Sequence, residues 1–204
     1  MEIKNVRVYG LKESIVRSGY PTRIGELSIF EYDEDGICGV NLTKHGERAY
    51  RLAKTPIGSG HDNFLKGIIV QFDLQYPEYF SPQLQRYNWI DIISSQSKMH
   101  KITSRKLTKE DFTEYTHEDA INNINSLISI YQSADELKIN KEVCFNQIIS
   151  NLPSGYLKWM GISTNYLQLK TIYSQRKNHK LQEWRYFCNW IETLPQSELI
   201  TNLA

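Results

Sequence analysis

Residues 67–75 alternate along the chain, with Ile68, Val70, Phe72 and Leu74 on one side and Ile69, Gln71, Asp73 and Gln75 on the other. Successive side chains of a strand point to opposite faces, so this spacing predicts a β-strand with one buried face. Ile3, Val6 and Val8 predict a second half-buried strand over 3–9, followed by a short helix over 11–18. Apolar segments at 27–32 and 37–40 flank Asp33-Glu34-Asp35-Gly36, where the Asp-Gly pair suits the positive φ of a tight hairpin turn. Helical spacing covers 43–54 and ends at Pro56, Gly58 and Gly60; an aromatic-rich segment from Pro77 to about Ser94 also reads as helix. Thr108 stands as an N-cap before an amphipathic stretch reaching Tyr131, in which Ile121, Ile124, Leu127 and Ile128 recur at helical spacing. Further helices are expected over 141–151, from a Thr164 cap to Arg176, and over 180–193, where Trp184, Phe187, Cys188 and Ile191 form one stripe; a strand is expected over 155–162. The fold class is α+β or mixed α/β, rich in helix, in a single domain over 1–204 with the hairpin at 27–40 as an elaboration.

The charge balance limits the partners. Among 204 residues, 24 are Lys or Arg and 23 are Asp or Glu, a net charge of +1. Proteins that coat duplex nucleic acid derive most of their affinity from neutralising phosphates, and this chain lacks the basic excess for that. Neither a membrane-spanning run nor the apolar core of a secretory signal is evident, so a cytoplasmic protein without a membrane partner is expected. Cys38, Cys144 and Cys188 are odd in number and far apart, which argues against a disulfide framework. The five histidines lack metal-site spacing, and no metal centre is expected.

Three places concentrate polar groups. Gly58-Ser59-Gly60-His61-Asp62-Asn63 joins a helix to a strand; its glycines allow backbone amides to approach an anion or ring, and an ordinary turn explains the same residues. Gln83 to Asn88 and Ser94 to His100 supply hydroxyls, amides and cations suited to a nucleotide, or equally a solvated loop. Gln175-Arg176-Lys177-Asn178-His179-Lys180, with Arg185 beyond it, makes a local positive patch. Cations also gather at helix C-termini to complement the macrodipole, while Arg suits a bidentate grip on phosphate.

In order and spacing these places resemble the motifs of the flavin-dependent thymidylate synthases across most of the chain. Gly60-His61-Asp62 is similar to the family's Gly-His-Glu turn. Gln83 and Arg86 fall at the expected distances beyond it, Leu152-Pro153 resembles the Leu-Pro element, and Asn165 and Leu169 lead to Arg176. Leu181-Gln182 stands where the family has Ala-Gln, and Glu13 to Ser18 resembles its early helix. The resemblance implies a small antiparallel sheet and a homotetramer with active sites between subunits. There FAD serves C5 methylation of deoxyuridine monophosphate (dUMP) or a related pyrimidine nucleotide, with methylenetetrahydrofolate as carbon donor, NADPH as reductant and no cysteine nucleophile. Position by position, Gln83, Ser97, Lys98 and Arg176 would face the nucleotide, with Arg176 as the catalytic arginine; His61, Arg86, Asn88 and Asn165 would face the flavin. The family's Arg-His-Arg triplet is here Arg86-Tyr87-Asn88, and Leu167 replaces an arginine. Lys170, Lys177 and Arg185 are candidate replacements for the missing cations. A homologue that binds and sequesters a nucleotide without flavin chemistry is the alternative.

Overall fold

The computed structural model describes residues 1–27, 30, 32–33, 36–37 and 42–202. In chain order it forms β1 (Glu2–Tyr9), α1 (Leu11–Arg17), β2 (Tyr32–Asp33), β3 (Gly36–Ile37), α2 (Leu42–Ala53), β4 (Ile69–Pro77), α3 (Ser81–Leu84), β5 (Asp91–Ser95), α4 (Lys98–Lys101), α5 (Glu118–Gln132), α6 (Lys141–Asn151), β6 (Leu157–Asn165), α7 (Tyr166–Arg176), α8 (Gln182–Glu192) and α9 (Glu198–Thr201). A helix-rich fold with a small antiparallel four-stranded sheet results, in the order β1-β4-β6-β5; β2 and β3 pair separately. The chain divides into two compact units. Residues 1–4, 73–86 and 92–161 form unit 1, and 5–72, 87–91 and 162–204 form unit 2.

The alternation at β4 is realised: Ile68, Val70, Phe72, Leu74 and Tyr76 are all buried, whereas Gln71 is exposed. In unit 1, Ile121, Ile124 and Ile128 of α5 join Ile148 of α6, and Ile102, Leu107 and Phe112 complete the same cluster. Asn125 ties the preceding segment to this hairpin. Its Oδ1 accepts from the Leu107 amide at 2.7 Å and its Nδ2 donates to the Leu107 carbonyl at 2.8 Å. A carboxamide carries the same donor and acceptor as a peptide group, so it satisfies both without a neighbouring strand. In unit 2 the stripe on α8 is buried as expected, and Phe72 packs against Phe187 and Trp190 at centroid distances of 6.0 and 4.5 Å. Cys188 lies within this apolar layer, where burial pushes its thiol up to about 12. Gly10 opens α1 at φ 69, and a Cβ there would meet the Gly67 carbonyl oxygen at 2.5 Å. Both its conformation and its clearance therefore require glycine.

Several segments differ from the spacing-based expectation. Between 77 and 95 only Glu78–Phe80 (a 3-10 turn) and α3 are helical, and Asp91–Ser95 is the strand β5. Paired β-branched Ile92 and Ile93 favour extended backbone. Thr108 caps only a 3-10 turn, Lys109–Asp111, because the Asp111 carboxylate returns to the Thr108 amide. The chain then extends, with Phe112 bridged to Tyr156, before His117 caps α5. Thr164 remains in β6, donating its hydroxyl to the Trp89 carbonyl at 2.6 Å, and Asn165 takes the cap of α7 instead. Val6 of β1 is exposed rather than half-buried, as suits the edge of a sheet. Of the hairpin, Tyr32 pairs with Ile37 and Asp33 with Gly36, which places Gly36 in a strand rather than in the turn. Residues 28, 29, 31, 34, 35 and 38–41, including Cys38, lie outside the described residues.

Candidate functional site

Unit 1 contains a cavity of about 420 Å³ whose walls come from β4, β6 and the segment 96–111. Ser97 caps α4 by accepting from the Met99 amide at 3.2 Å, and Lys98 and Lys101 follow on that helix. Gln96 is fixed against β6: its amide donates to the Trp159 carbonyl at 2.9 Å and its Oε1 accepts from the Trp159 amide at 3.1 Å. Opposite, Lys158 pairs with Glu78 at 2.8 Å, and its ammonium lies 5.5 Å from the Tyr76 ring centroid. Burial alone would lower the Lys158 pKa, but Glu78 and Tyr76 outweigh it and hold the ammonium above its ordinary range.

Arg105 closes one side of this cavity with a two-point pair to Asp111, at 2.6 and 2.7 Å. Burial pushes the Asp111 carboxyl up, yet the Arg105 hydrogen bonds, the Thr108 amide and the Arg105 charge prevail and hold it below its usual value. A depressed carboxyl contributes stability above its unfolded pKa and loses it as pH falls through the folded value. Acidification into that low range should therefore release the Lys109–Asp111 turn. The protection of the Thr108 amide against hydrogen exchange, taken relative to its intrinsic rate at each pH, should fall there in wild type and already be low at neutral pH in Asp111→Asn.

Unit 2 holds the glycine turn and α7. Gly60 adopts φ +82, a conformation that lets the turn reverse, and His61 beyond it is exposed. The next residue, Asp62, is buried and pairs with Lys170 Nζ at 2.6 Å; the same ammonium donates to the Thr55 carbonyl at 2.9 Å. Both ends of the turn are thereby tied to α7. At the start of α7, Asn165 Oδ1 accepts from the Gln168 amide at 2.9 Å. At its end, the Arg176 Nε donates to the Tyr87 hydroxyl at 2.7 Å, and that hydroxyl donates to Gln175 Oε1 at 3.0 Å. The guanidinium also lies over the rings of Trp184 and Tyr87, at 4.8 and 5.7 Å. Nε is thus occupied, while both terminal amino groups of Arg176 face no protein acceptor among the described residues. His179 accepts from the Leu181 amide through Nδ1; burial, then the charges of Arg176 and Arg185, lower its pKa.

The expected residues are thus distributed over both units. Ser97 and Lys98 line the unit 1 cavity, Gln83 is half-buried among protein partners, and Arg86 is exposed. In unit 2, Arg176 is held between aromatic rings, His61 and Asn88 are exposed, and Asn165 is buried as a helix cap. Lys170 is corrected as a replacement cation, because its charge is already matched by buried Asp62. Arg185 donates to the carbonyls of His179 and Lys180, closing the α7–α8 connection, and Lys177 lies over the Tyr173 ring at 5.6 Å. Motif spacing missed Glu78, Lys101, Lys158 and Trp159. Among the described residues, no group of three or more His, Cys, Asp and Glu side chains is placed to hold a metal, and no helix is long and apolar enough to cross a membrane.

No protein-family model matches the chain, and no curated protein matches its sequence. Solved structures do. Two structures of the flavin-dependent thymidylate synthase ThyX from Helicobacter pylori, each with FAD and dUMP, match at TM-scores of 0.64 and 0.63 with 15% and 16% identity, covering 98% of this chain and 97% of theirs. The UMP/dUMP methylase PolB from Streptomyces cacaoi, bound with 5-Br dUMP, matches at a TM-score of 0.60 with 14% identity, over 99% of this chain and 96% of that one. The chain therefore has the fold of the flavin-dependent thymidylate synthases.

Proposed function

We propose that this chain binds a pyrimidine nucleotide and, as a homotetramer, methylates C5 of dUMP or a related nucleotide in a flavin-dependent reaction. The observation that carries the reading is Arg176, which two aromatic rings and the Tyr87 hydroxyl hold by one edge while its terminal amino groups stay available. A guanidinium held that way presents its remaining donors in a fixed fork, the geometry that recognises an anionic or carbonyl oxygen. On this reading Gln83, Ser97 and Lys98 also face the nucleotide, and Arg176 stabilises the negative charge that develops on the base as C5 reacts.

The residues assigned to FAD fit such a group. His61, Arg86 and Asn88 are exposed and bond to no protein group among the described residues, so an imidazole, a guanidinium and an amide remain for the polar edge of a flavin. Asn165 adds only its amide nitrogen, since its oxygen caps α7. Bound FAD would supply the hydride chemistry, with NADPH as reductant and methylenetetrahydrofolate as carbon donor; the protein orients the rings and stabilises charge.

A second reading, nucleotide binding without catalysis, is favoured by one observation. Tyr87, at the centre of Arg86-Tyr87-Asn88, is turned inward onto Arg176 and Gln175, leaving Arg86 as the cation of that triplet. The purified protein separates the two. A flavin absorption spectrum, and a melting temperature raised by about 5 to 10 °C at FAD concentrations a hundredfold above Kd, are expected for the enzyme. A colourless, inactive protein that is stabilised by dUMP alone supports the second reading, and the absence of both responses refutes both.

A further inference from the structure

The unit 1 cavity carries cations beyond those the motif resemblance assigns. Lys98 and Lys101 stand three residues apart on α4 and so share one side of it, and Lys158 enters the cavity from β6. One Glu78 oxygen lies 2.8 Å from the Lys158 ammonium and 3.7 Å from that of Lys98. A single carboxylate shared by two ammonium groups leaves one positive charge unmatched. The Lys101 ammonium bonds to no protein group among the described residues and adds a second. The Arg105 charge is cancelled by Asp111, and Glu110, exposed and hydrogen-bonded to Thr108, also lines the cavity. Three lysines less Glu78 leave a surplus of two positive charges, which Glu110 reduces to one, so the cavity keeps the sign of charge that attracts a phosphomonoester, itself roughly −1.5 to −2 at neutral pH. The rest of the wall offers the Trp159 and Tyr156 rings and the Gln75 and Gln96 amides, and about 420 Å³ is in the range of small-ligand sites.

We propose that Lys98, Lys101 and Lys158 form the phosphate grip of the nucleotide site, with Glu78 as the positioning residue that holds Lys98 and Lys158 in place. This rests on the nucleotide reading above and assigns the phosphate to lysines of α4 and β6, whereas Lys170 and Arg185 already serve the fold. Lys101 is exposed, so its replacement should leave the fold intact.

Calorimetry with dUMP, deoxyuridine and inorganic phosphate tests it on wild type, Lys101→Met, Lys158→Met and Glu78→Gln. Lys101→Met should weaken dUMP about tenfold, the loss expected for one charge-assisted contact, and leave deoxyuridine unchanged. An unaltered dUMP affinity in both Lys101→Met and Lys158→Met overturns the grip. Glu78→Gln removes a negative charge, so a mere counter-charge role predicts tighter dUMP binding; the positioning role predicts a smaller preference for dUMP over deoxyuridine. Tighter binding therefore overturns that role. If wild type ignores dUMP but binds phosphate in a Lys101-dependent way, the grip stands and the nucleotide reading falls. Binding of neither ligand refutes both.

Discussion

Asp62→Ala should lower the melting temperature by about 6 to 20 °C, the largest stability loss expected from a single substitution outside the apolar core. Its carboxylate and the Lys170 ammonium have side-chain exposures of only 2% and 1%, and they meet at 2.6 Å. Removing one member of a buried pair leaves the other charged and without compensation, which costs about 3 to 5 kcal/mol. For a chain of this size each kcal/mol moves the melting temperature by about 2 to 4 °C. The double variant Asp62→Ala/Lys170→Met should recover part of the loss, because no buried charge remains; full recovery is excluded by the Thr55 carbonyl, which would still lack the Lys170 donor. Thermal melts of the three variants check this, and a double variant as unstable as the two single losses combined would refute the pairing argument. The pair joins the glycine turn to α7, so Lys170→Met should also loosen His61. Faster exchange of the Asn63 and Leu65 amides, which bond back to Gly60 and Asp62, would report that loosening.

What the sequence made legible follows from the range of the forces involved. β4 and the α8 stripe were readable because burial of one face imposes a period that survives any tertiary context. The cap of α7 lies one residue beyond the expected Thr164 because Thr164 and Asn165 are both competent caps; a partner 75 positions away, the Trp89 carbonyl, takes the Thr164 hydroxyl. The helical expectation from Pro77 to about Ser94 overlaps β5 because the β preference there is short-range and weak, and pairing with β6 decides it. At the candidate site, spacing singles out Arg176 and His61, and it offers Lys170 as a free cation although buried Asp62 already matches its charge. Whether a lysine faces solvent or a buried carboxylate depends on Asp62, 108 positions earlier, and no local pattern encodes that. Glu78, Lys101 and Lys158 were invisible for the same reason: they converge from three elements, and each in isolation reads as surface charge.

Arg176→Ala should weaken binding of a pyrimidine nucleotide by about tenfold to a hundredfold, the equivalent of roughly 1.5 to 3 kcal/mol for a charge-assisted contact. The same side chain stabilises unit 2 by lying over Trp184 and Tyr87, so the variant should also lose about 1 to 2 kcal/mol of stability. The two roles are separable. Tyr87→Phe keeps the ring beneath the guanidinium but removes the hydroxyl that accepts from Nε and donates to Gln175. Arg176 then retains its stacking and loses its orientation, so nucleotide affinity should fall more than stability. Arg176→Lys keeps the charge without the planar fork and should bind more weakly than wild type despite an unchanged net charge. Calorimetry and thermal melts on these variants and on the Tyr87→Phe/Arg176→Ala double should show coupled, non-additive losses in affinity, because the hydroxyl acts through the arginine. If Arg176→Ala loses stability while nucleotide affinity stays at the wild-type value, the guanidinium is only a packing element, and the nucleotide must be held by the unit 1 lysines alone.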